Sequence, residues 1–130
     1  MERIRRKLLE EIELLTKNYF DIEENGRVGY FLDLNVLGIK AMVQLDRLPS
    51  GVTFTYSIVL KPLDMEKPDG ALKLLTRNFE LKRAYLWPME INNEWYLIGS
   101  CKKQYESYLP GQLSSQLESL MRELHEAELN

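Results

Sequence analysis

The chain has 130 residues, of which 45% are hydrophobic and 28% charged, with a formal net charge of -3 and one cysteine. These values fit one folded domain over residues 1–130, too apolar for a disordered chain and able to remove roughly two-thirds of its unfolded surface from water. The acidic balance gives no overall attraction for phosphate backbones, so no nucleic-acid partner is expected, and a lone cysteine excludes an internal disulfide and suits a reducing compartment.

The opening MERIRRKLLEE mixes charges of both signs with its apolar residues. Neither a signal peptide nor a membrane span is expected there, no stretch elsewhere is long and apolar enough, and a cytoplasmic location without a membrane partner follows as an expectation. Residues 2–18 have helical spacing, with Ile4, Leu8, Ile12 and Leu15 on one side and Arg5, Arg6, Glu10, Glu13 and Lys17 largely elsewhere. The basic cluster reads as a solvated face, because no aromatic residue or glycine loop accompanies it.

In YFDIEENGRVGYFLDL, Asn25-Gly26 accepts positive φ at low cost, predicting a hairpin between a short strand near 20–24 and a longer one over 27–34. NVLG (35–38) turns the chain into IKAMVQLD, where Ile39, Ala41, Val43 and Leu45 share one phase. After LPSG, VTFTYSIVL alternates strictly, with Val52, Phe54, Tyr56, Ile58 and Leu60 opposed to Thr53, Thr55 and Ser57.

A loop, KPLDMEKPDG, leads to helical spacing through Ala71, Leu72, Leu75 and Phe79, with Asp69 as the expected cap. AYLWPME and NEWYLIGSCKK, joined at Asn92-Asn93, predict a second hairpin whose Pro88 belongs on an edge or a bulge. Trp87 and Trp95 are either core anchors of that hairpin or contact residues, and their hairpin setting favours the core. Pro110-Gly111 then introduces GQLSSQLESLMRELHEAEL, with Ser114 or Ser115 as cap and Leu113, Leu117, Leu120 and Leu124 expected against the chain's own sheet.

No motif announces chemistry. DIEENG (21–26) matches the first half of a calcium loop, but the twelfth position, which should be a bidentate glutamate, is Leu32. His125 is the sole histidine and Cys101 the sole cysteine, so a nitrogen and sulfur metal site is excluded and neither residue is expected to be catalytic. Asp33, Asp46, Glu90 and Glu94 lie on or beside strands, yet nothing in their spacing pairs them. Walker, dinucleotide, serine-elbow and zinc-protease motifs are absent, so no catalytic residue, metal or cofactor is assigned.

The apolar residues exceed what one sheet face needs. Phe31 and Met42 fall out of phase with the core sets, and in the second hairpin Tyr96 and Ile98 occupy one phase while Trp95 and Leu97 occupy the other. Either a helix or the far end of a curled sheet covers this second apolar face, or it is an interface. The candidate partner or dimer surface is therefore Phe31, Met42, Tyr96 and Ile98.

From DGALKLLTRNFELKRAYLWPMEINNEWYLIGS to LPGQLSSQLESLMREL, together with FDIEENGRVGYFLDL, the sequence resembles the Tir chaperone family of class I secretion chaperones, and it is equally similar to the YbjN-like family of the same fold. The likeness spans nearly the whole chain and rests on element order and hydrophobic pattern. It implies an α+β fold of the type III secretion chaperone-like kind, an antiparallel sheet packed by helices in the order α-β-β-β-(β)-α-β-β-α. It further implies a bacterial homodimer that holds an extended client segment on apolar surface without enzymatic activity. A YbjN-like regulatory or adaptor protein is the second reading, and a small enzyme using carboxylates the third.

Overall fold

The computed structural model describes residues 2–24, 27–34, 38–49, 51–105 and 110–127. In chain order these form α1 (Glu2–Leu15), β1 (Tyr19–Glu24), β2 (Arg27–Leu34), β3 (Ile39–Leu48), β4 (Gly51–Pro62), α2 (Pro68–Leu75) continued by a 3-10 turn (Thr76–Glu80), β5 (Tyr85–Ile91), β6 (Glu94–Tyr105) and α3 (Gln112–Glu126). The Asn25-Gly26 turn and positions 35–37 of the NVLG turn lie outside the described residues.

All six strands join one antiparallel sheet in the order β1-β2-β3-β4-β6-β5. Its two-residue turn at Asn92 and Asn93 takes φ values of 51° and 66°, the left-handed geometry that matches strand twist and that asparagine tolerates. Pro88 lies in β5, an edge strand, as its missing amide requires.

One face of the sheet carries the helices. Tyr30, Leu32, Ala41, Val43, Phe54 and Tyr56 project from it into a core closed by Leu8 and Ile12 of α1 and by Leu113, Leu117, Leu120 and Leu124 of α3. The amphipathic closing helix thus covers the chain's own sheet. It sits so close over β6 that a Cβ at Gly99 would approach Leu124 Cδ1 to 2.8 Å.

Both predicted helix caps differ from those observed. Helix α2 starts a residue earlier than the expected cap, with Lys67 at the cap position, Pro68 in its first turn and Asp69 inside the helix, because proline's fixed φ suits the first helical position. Helix α3 starts at Gln112 after Gly111 at φ 89°, which leaves Ser114 and Ser115 within the helix. Its free amides are satisfied from α1 instead: Glu11 accepts from Gly111 N–H at 2.9 Å and from Leu113 N–H at 3.3 Å. A carboxylate a hundred residues away replaces the local serine. The expected apolar stripe of the second helix is also broken, since Leu72 is exposed and Phe79 is 95% exposed.

Candidate functional site

The strands alternate, so the residues between the core positions form the opposite face, and among the described residues no helix covers it. That face is concave. Phe20 and Ile22 of β1 and Met89 and Ile91 of β5, from opposite edges of the sheet, line one hollow of about 750 Å³ together with Phe31, Met42, Val59 and Tyr96. A register shift in β4 between Val59 and Lys61, opposite β6, supplies local bending, as bulges do.

The curl explains a burial pattern that alternation alone does not. Met42 is 1% exposed and Ile98 0%, although both lie outside the helix-covered core. Both are buried in the isolated chain, Met42 within the lining of the hollow and Ile98 outside it. Phe31 and Tyr96 are half-buried in the wall, where Phe31 stacks on Phe20 at 5.1 Å between ring centroids. Phe20 itself is 60% exposed.

Towards the other end of the same face the lining becomes polar. Ser57 and Ser100, both fully buried, place their Oγ atoms 2.7 Å apart, and the Trp87 indole N–H donates to Ser100 Oγ at 2.7 Å. Arg27, Gln44, Thr55, Tyr85, Trp87 and Lys102 surround a second hollow of about 690 Å³, with Trp95 on its rim. Arg27 is held by Asp46 at 3.0 Å, and the Lys102 ammonium lies 6.0 Å from the Tyr85 ring centre. Neither tryptophan is a core anchor: Trp87 is half-buried at the hollow and Trp95 is 36% exposed. Each is amphipathic enough to serve at a rim.

The carboxylates flagged by sequence are placed differently, two of the four sharing one hollow. Asp33 and Glu90 line the apolar hollow, Asp46 is spent on Arg27, and Glu94 accepts from Tyr96 O–H at 2.9 Å. Among the described residues no group of three or more His, Cys, Asp or Glu is placed to hold a metal ion. Cys101 is buried against the helices, and burial pushes its thiol above the usual range, which disfavours the nucleophilic thiolate. His125 is exposed near the end of α3.

Sequence reasoning missed Phe20, Ile22 and Met89. The signal was present in YFDIEE, where Phe20 and Ile22 alternate with Asp21 and Glu23, but only the curl reveals that β1 and β5 face a common hollow.

These features define an α+β protein whose antiparallel sheet carries helices on one face and leaves the other hollow. The crystal structure of YbjN, a proposed transcription regulator from E. coli, is similar to this chain with a TM-score of 0.51 and 14% sequence identity, covering 96% of this chain and 88% of that one. The chain therefore has a YbjN-like fold. No protein-family model matches it, and no curated protein is significantly similar. No helix among the described residues is long and apolar enough to cross a membrane.

Proposed function

We propose that this protein is a non-enzymatic binding module that holds an extended segment of a client protein in the hollow of its helix-free face. The observation that carries the reading is the joint lining of one hollow by both sheet edges, with Phe20, Phe31, Met89 and Tyr96 in its walls and Lys17, Asp33, Lys40 and Glu90 also lining it. Grooves of this kind gain affinity by seating apolar side chains in preformed concavities, at little ordering cost to the protein. The resemblance of the whole sequence pattern to secretion chaperones supports a client held unfolded. Homodimerisation belongs to the same proposal, and Leu72 and Phe79, exposed on α2 and its 3-10 extension, are apolar surface outside the hollow that two copies could share.

Affinity capture from the native cell, run in parallel with a Phe31→Ser/Tyr96→Ser variant, tests this reading. A disordered client recovered with the wild-type chain and lost with the variant supports it; equal recovery contradicts it. The second reading is a regulator or adaptor, favoured by the fold shared with YbjN. It predicts a folded signalling protein in the same experiment.

A further inference from the structure

The second, more polar hollow is crossed by a row of paired residues. Gly29 of β2 pairs with Gln44 of β3, Gln44 with Thr55 of β4, and Thr55 with Lys102 of β6. Side chains paired across neighbouring strands lie close together on one face, so the Gln44 amide, the Thr55 hydroxyl and the Lys102 ammonium form a line of hydrogen-bond donors. The Gln44 stem takes the space that a side chain on Gly29 would need, since a Cβ there would meet Gln44 Cγ at 3.0 Å.

These donors are not spent within the protein. Thr55 is 5% exposed, yet among the described residues its hydroxyl forms no hydrogen bond, and a buried polar group ordinarily has a partner. Among the same residues the Gln44 amide forms none either, and Lys102, which is exposed, forms no ion pair. The other charges at the hollow do not compensate it. Asp46 is held by Arg27 at 3.0 Å, and Glu90 pairs with Trp95 near the start of β6, whereas Lys102 lies towards its end.

Aromatic rings stand beside this donor line. The Lys102 ammonium lies 6.0 Å from the centre of the Tyr85 ring, and the Trp87 indole is fixed through its N–H to Ser100 Oγ at 2.7 Å. Fixed rings present preformed faces for stacking. The volume of about 690 Å³ falls in the roughly 300–1,000 Å³ usual for small-molecule sites.

We propose that this hollow binds a small aromatic carboxylate, with the carboxylate accepting from Lys102, Thr55 and Gln44 and the ring lying against Tyr85 and Trp87. The site goes beyond the client reading and is independent of it. A carboxylate supplies the acceptor that the buried Thr55 hydroxyl lacks and gains a charge-assisted bond from Lys102. A cationic ligand would meet the ammonium instead, and an aliphatic acid would leave the rings unmatched.

The test titrates the full chain with three probes by calorimetry and amide NMR: indole-3-acetate, tryptamine, which has the same ring with the opposite charge, and acetate, which has the charge without the ring. Indole-3-acetate is expected to bind and to move the amide signals of Thr55 and Lys102 and the indole N–H signal of Trp87, with the other two at least tenfold weaker. Lys102→Met and Thr55→Val are each expected to weaken it at least fivefold. Lys102 is exposed, so Lys102→Met keeps the fold and carries the test even where Thr55→Val loosens it. Tryptamine binding as tightly as indole-3-acetate, or a folded Lys102→Met chain binding like wild type, overturns the proposal. So does the absence of indole-3-acetate binding at millimolar concentration. Shifts confined to Phe20, Met42 and Tyr96 overturn it as well, by placing the probe in the other hollow, and leave the client reading standing.

Discussion

Met42 and Ile98 sit on the face of the sheet that bears no helix, yet both are as inaccessible as the residues under α1 and α3. The covering is the sheet itself. Met42 of β3 and Tyr96 of β6 line the same hollow as Phe20 of β1 and Met89 of β5, so the curl does on one face what the helices do on the other.

Met42→Glu and Ile98→Glu are therefore expected to unfold the chain or cost it about 3 kcal/mol or more, since each strands a charge in an enclosed apolar site. Phe20→Glu, at an exposed position, should leave the urea midpoint nearly unchanged. Equilibrium unfolding of the three variants checks the contrast.

The buried serine pair makes a second prediction. Ser100→Ala removes the acceptor of the Trp87 indole and the partner of Ser57 in one step. The loss is about 1–3 kcal/mol, because the groups left behind remain partly desolvated. Urea unfolding measures the loss, and the intrinsic tryptophan emission of the folded variant should change with it.

Glu123 predicts a pH dependence. Burial opposes ionisation of its carboxylate, but the amides of Arg83, Ala84 and Lys82 donate to it and outweigh that effect, holding its pKa below the ordinary value. The folded state thus binds fewer protons than the unfolded chain in acid. The stabilisation is complete above the unfolded-state pKa of about 4.3 and is lost as pH falls through the lower folded-state value. Thermal unfolding of wild type and Glu123→Gln should differ at neutral pH and converge in acid below both pKa values.

Gly99 and Leu124 are tightly fitted. Gly99→Ala should cost about 1–3 kcal/mol, as overpacking does, and much less in a Leu124→Ala background, where the opposing side chain is gone. A double-mutant cycle by urea denaturation reads the coupling.

Most of this fold was legible in the sequence because its strands announce themselves in short range. VTFTYSIVL alternates, Asn92-Asn93 turns, Pro88 marks an edge, and the leucines of α3 share one helical face. What escaped was long-range. Ser114 and Ser115 looked like caps until Glu11 supplied the carboxylate from α1, and Phe79 looked like part of a core stripe until α2 tightened into a 3-10 turn after two turns of helix. The candidate surface was half legible. Out-of-phase Phe31, Met42, Tyr96 and Ile98 do lie on the second face, but alternation carries no information on curvature: Phe31, Met42 and Tyr96 line the hollow, and Ile98 is buried outside its lining.

The most direct test of the central claim places a photo-crosslinking amino acid at Tyr96, in the wall of the hollow, and separately at Phe79, the exposed aromatic outside it, in the native cell. A discrete adduct with another protein is expected from position 96 and none of the same mass from position 79. The same adduct from position 79 alone would contradict it.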